Sequence, residues 1–178
     1  MTKKEAVLPN EIHTRIINYF LSAVDASGGC SRDPCGVIPF EYLIGTLSAI
    51  DTPVEYWDKV AMIILDLADN AFCSINYTRN LLLLSSHVSV KVRDKIILHF
   101  ILRGAAKEAS HMLAVYHKRP LTQEEILIMA EHNRHVETPS TSNTWKELQS
   151  LADENTLIVI KAMIAEILHS ENASRRSQ

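Results

Sequence analysis

The run at residues 90–103, Val-Lys-Val-Arg-Asp-Lys-Ile-Ile-Leu-His-Phe-Ile-Leu-Arg, restricts most what the chain can become. Read as a helix it is apolar nearly all round, through Ile96, Ile97, Leu98, Phe100, Ile101 and Leu102. One polar row interrupts it: Lys91, Lys95, His99 and Arg103, at i, i+4, i+8 and i+12. A helix apolar on most sides is ordinarily a central, buried one. The run therefore predicts the middle of an all-helical core with a basic seam reaching the surface.

The rest of the chain reads as further helices. Ile12, Ile16, Tyr19, Phe20 and Ala23 form one apolar stripe, giving a helix near 11–24 capped by Asn10. Gly28, Gly29, Pro34, Gly36 and Pro39 make residues 25–39 a loop. A short helix follows near 40–50. Thr52, Pro53 and Glu55 read as a cap, a first-turn proline and a capping box, opening a helix to about Asn70. Residues 71–77 are ambiguous, and helix resumes at 81–84. Ser85-Ser86-His87 breaks it, Ser89 caps the central helix and Gly104 ends that helix.

Beyond Gly104, a helix over 105–117 carries Ala105, Ala109, Met112 and Tyr116 on one face. Thr122 with Glu125 is a second capping box, opening a helix to about His135; Thr144 with Glu147 is a third. A last helix near 155–169 offers Leu157, Ile160, Ile164, Ile167 and Leu168 to a core. No stretch alternates with a period of two, so no sheet is expected. The expected fold is all-α, with eight or nine helices packed as antiparallel hairpins. Units of close to 30 residues suggest an α-solenoid of HEAT or armadillo type, and a compact helical bundle fits the same periodicities. The expected domain spans 10–170, with loops at 25–39 and 136–143, a flexible lead at 1–9 and a flexible tail at 171–178.

Charge is unevenly placed. Residues 87–119 hold seven Lys or Arg against two acids, net +5, while the segments on either side are each net −4. A basic middle between acidic ends either balances the fold or marks where an acidic partner lands. The expected binding surface is the seam, Lys91, Lys95, His99 and Arg103, with Lys107 beside it. His111, Lys118 and Arg119 lie close enough to extend it. The plainer reading is a solvated strip, with Asp66 and Asp69 as possible ion partners.

Catalytic signatures are missing from the sequence. It contains no Gly-x-Ser-x-Gly, no phosphate-loop or dinucleotide glycine motif and no His-Glu-x-x-His. Two Glu-x-x-His pairs, Glu108/His111 and Glu166/His169, point away from the apolar faces of their helices. Cys30 and Cys35, joined by His132 and His135, would make a zinc set only if the fold brought distant segments together. Residues 121–132 resemble the first helix of a helix-turn-helix, but the proline-containing stretch 136–143 is too long for the turn.

Three cysteines do not make a disulfide framework, and no stretch has the roughly 18 apolar residues of a membrane span. The residues following Met1 do not form a signal peptide. A cytoplasmic setting is therefore expected. The functional expectation is a non-enzymatic helical module, an adaptor, regulator or accessory subunit without a cofactor, that binds an acidic protein surface through the basic seam. The alternatives are a nucleic-acid regulator using residues 87–119, and a metal-dependent enzyme.

Overall fold

Nine α-helices, and no strand, form among the residues that the computed structural model describes, which are 10–26, 38–70, 74–136, 139 and 142–176. They are α1 (Asn10–Ala26), α2 (Ile38–Ser48), α3 (Val54–Asn70), α4 (Ser74–Leu84), α5 (Val90–Leu102), α6 (Ala106–Met112), α7 (Gln123–Arg134), α8 (Asn143–Leu151) and α9 (Glu154–Arg176). The all-α expectation holds among the described residues, as helices packed on one another within each of two units. Close contacts group the chain into two units, Met1–Ile96 and Ile97–Gln178.

In the first unit α1 packs on α2 and α3, and α4 packs on α2 and α3. Ile17, Phe40, Leu43, Leu47, Trp57, Ile64, Leu81 and Leu84 supply the core. Thr52 departs from the expected capping box. Its hydroxyl donates to the Leu47 carbonyl at 2.8 Å, closing α2 from behind. Carbonyls at a helix end lack partners within the helix, and a nearby hydroxyl proton satisfies one of them here.

The second unit is built on α7. Its opening behaves as expected: the Thr122 hydroxyl accepts from the Glu125 N–H, and the Glu125 carboxylate accepts from the Thr122 N–H at 2.8 Å. α7 runs parallel to α9, not antiparallel. Gln123 at its start accepts from the Asp153 N–H at 2.9 Å, and Arg134 at its end pairs with Glu166 at 2.8 Å. α8 lies between them in the chain and packs on α6 and α7 through Trp145 and Leu148. Its cap is Ser142, which accepts from the Thr144 N–H at 3.1 Å; the expected box at Thr144 does not form.

Two local features depart from the periodic reading. After Met112 the chain widens into a π-helical turn, Leu113–His117, closed by Lys118 at φ 55°. The wider turn rotates the register, so Leu113 is buried and Tyr116 only half-buried. At the other end, α9 continues to Arg176, through the stretch expected to fray after His169.

Candidate functional site

The start of α5 is fixed by its cap and its neighbour. Ser89 accepts from the Val92 N–H at 3.4 Å, and its own N–H donates to Asp58 of α3 at 2.8 Å. Arg93 is drawn away from the surface charge: its guanidinium donates to the carbonyls of Ser85 at 2.7 Å and Val88 at 3.1 Å, closing α4. Beside this link Trp57 stacks on His87 with ring centroids 4.4 Å apart.

The end of α5 is a Schellman turn. The Ala105 N–H reaches the Phe100 carbonyl at 2.9 Å and the Gly104 N–H reaches Ile101 at 3.1 Å. Gly104 takes φ +67°, and the buried Asn133 side chain of α7 donates to its carbonyl at 3.3 Å. The same amide group donates to Met129 at 2.9 Å. α5 is thus bounded by a capping serine at its start and a Schellman turn at its end.

The expectation of a helix buried all round is corrected. Val92, Ile96, Ile97, Phe100 and Ile101 are buried, but Leu98 and Leu102 are each 52% exposed and Val90 64%. Helix geometry gives the reason. An i, i+4 row drifts about 40° per step, so His99 and Arg103 lie about 80° and 120° round from Lys91. Both are half-buried. Lys95, Leu98 and Leu102 stay within about 40° of Lys91. The solvent face of α5 is therefore Lys91, Lys95, Leu98 and Leu102, with Asp94 on its flank.

The seam is accordingly split. Lys91 and Lys95 share an exposed face; His99 and Arg103 turn off it. Lys95 Nζ lies 3.8 Å from Met62 Sδ, so the exposed thioether of α3 adjoins the basic end of the face. Lys107 is exposed on the separate helix α6. The sequence reading missed Leu98 and Leu102. The signal available was their spacing from the two lysines, 4-3-4 through 91, 95, 98 and 102.

The expected extension of the seam fares unevenly. His111 is exposed. Lys118 Nζ donates to the Val115 carbonyl at 2.7 Å. Arg119 is committed to Glu125 by two hydrogen bonds of 2.8 Å. This pair holds the Glu125 carboxyl at about 2, below its ordinary 4.5, with the Thr122 N–H adding to the effect. A carboxylate with a depressed folded pKa stabilises the fold above its unfolded value, and the contribution is lost as pH falls from about 4.5 to about 2. Arg119→Ala should return Glu125 toward the ordinary carboxylate range and flatten the acid limb of stability over that window. Carboxyl titration by NMR and urea midpoints across the same pH range measure both effects.

The remaining candidate groups form no cluster among the described residues. Cys30 and Cys35 lie outside the described residues; His132 is half-buried and His135 Nε2 is 3.3 Å from Glu131. Glu166 pairs with Arg134, while His169 is exposed. Among the described residues no group of three or more His, Cys, Asp or Glu is placed to hold a metal ion. Of the possible seam partners, Asp66 is exposed; the side chain of Asp69 lies outside those described. Residues 135–142 separate α7 from α8, too many for a helix-turn-helix. No helix among the described residues is long and apolar enough to cross a membrane. Comparison with known proteins adds no relative: no protein-family model, curated protein or solved structure matches the chain.

Proposed function

We propose that the chain is a non-enzymatic helical interaction module, an adaptor or accessory subunit, that takes a protein partner on the solvent face of α5. The observation that carries this reading is the composition of that face. Leu98 and Leu102 are half-exposed one turn apart, in line with the exposed Lys91 and Lys95. Large apolar side chains left in water beside a charged rim are a mark of protein interfaces. A partner that fits carries an apolar ridge with acids at one end, such as an amphipathic helix lying along α5.

This narrows the basic surface to Lys91 and Lys95. Two exposed lysines with two leucines suit a protein better than a phosphate backbone, which is gripped by many cations and weakens steeply with salt. The test is a pull-down from native lysate with the wild type, Lys91→Glu/Lys95→Glu and Leu98→Ser/Leu102→Ser. Loss of one and the same partner in both variants, with helical content retained, is the expected result. Retention of that partner by both variants, or a bound fraction consisting of nucleic acid, contradicts the proposal.

A further inference from the structure

α9 is the longest helix among the described residues and turns two unlike faces outward and inward. Toward its own unit it buries Thr156 and Ile160 and half-buries Met163, Ile164 and Ile167. On the opposite side run Asn155, Ile158, Ala162, Ala165, His169 and Asn172, all exposed. Their spacing is 3-4-3-4-3, the a/d repeat of a coiled coil, and none of the six is Lys, Arg, Asp or Glu. Ile158 is 67% exposed, and its neighbours Val159 and Leu168 are 43% and 36% exposed. The outer face of a helix that only covers its own core is polar or charged; Asn155, His169 and Asn172 fit that, while Ile158, Ala162 and Ala165 at its centre do not.

We infer that this face is a seam for a second copy of the chain, forming a two-stranded parallel pair of α9 helices about a two-fold axis. The flanking charges select that occupant. With Ile158 and Ala165 at d and Ala162 at a, Lys161 takes a g position and Glu166 the following e position, five residues on. In a parallel pair, g of one helix meets the following e of its partner. Lys161 of each copy therefore faces Glu166 of the other, and the two-fold repeats the attraction. Ala162 and Ala165 let the backbones come close at the centre, while Ile158 supplies the apolar contact. Glu166 already holds Arg134 at 2.8 Å, which fixes its carboxylate on the flank before any partner arrives.

Sedimentation of the full chain over a concentration series tests this. The wild type is expected to pass from monomer to dimer, and Ile158→Glu to stay monomeric with unchanged helical content. Lys161→Glu alone and Glu166→Lys alone should each weaken association roughly tenfold, because each puts like charges opposite one another twice. An equal mixture of these two variants should dimerise again, since every facing pair is then opposite in sign. A wild type monomeric at every concentration, an Ile158→Glu chain that dimerises like the wild type, or a mixture no better than its components overturns the inference. Association through α9 is independent of α5, so variants at Leu98 and Leu102 should dimerise normally.

Discussion

Replacing Phe100 by alanine is expected to cost about 3–5 kcal/mol of folding stability, while the same change at Leu98 stays within about 0.5 kcal/mol. Two residues apart on one helix, Phe100 is 1% exposed and Leu98 52%. Phe100 also lends its carbonyl to the turn that ends α5, so its side chain anchors the helix end from which the Gly104 turn departs. Urea denaturation of the two variants reads the contrast directly. A large loss at Leu98, comparable to that at Phe100, would mean that both faces of α5 are core, and the proposed binding surface would go with it.

Gly104→Ala should be nearly as damaging, for two separable reasons. The backbone there has φ +67°, which costs an L-residue roughly 1–2 kcal/mol. An added Cβ would also meet the Asn133 side chain, lying 2.8 Å from its Cγ and Oδ1. Asn133 cannot yield freely, since it is buried and its amide holds the carbonyls of Gly104 and Met129. Together these give an expected loss of about 2–4 kcal/mol. Asn133→Ala alone should cost about 1–3 kcal/mol by removing two buried hydrogen bonds, the Gly104 carbonyl keeping only the Ala106 N–H at 3.0 Å. The double variant removes the clash, so its loss should fall short of the sum of the two single losses by about 1 kcal/mol. Strict additivity would show that the alanine methyl never meets Asn133.

These two sites also show what was readable in the sequence. The helices were, because their apolar stripes are local and periodic. So were Ser89 and Gly104 as the bounds of α5, and the Thr122–Glu125 box, in which both partners sit within one turn. Thr52 looked equally good as a cap, but the bond its hydroxyl makes runs backward, to the Leu47 carbonyl five residues before it. Ser142 caps α8 in place of Thr144, since two hydroxyl residues stand near one helix start and the helix begins at Asn143. The π-helical turn after Met112 left no mark in the residue pattern.

The candidate surface was half legible. Lys91 and Lys95 stand out as charges on an apolar helix. His99 and Arg103 seemed to continue them, but an i, i+4 row winds round the helix and carried both off the exposed face. Leu98 and Leu102 were overlooked for the opposite reason. On a helix that is apolar nearly all round, residue types alone do not say which leucines meet the core; their angle from Lys91 and Lys95 does.

Site-specific photo-crosslinking tests the central claim most directly. A photoreactive phenylalanine analogue is placed at Leu98 or Leu102 on α5, and at the exposed Glu124 of α7 as a control. Both α5 positions are expected to capture one common protein, lost when Lys91→Glu/Lys95→Glu is combined with either, while the position at Glu124 captures none of it. Capture of that protein equally from Glu124, or no shared product from Leu98 and Leu102, would contradict a binding face on α5.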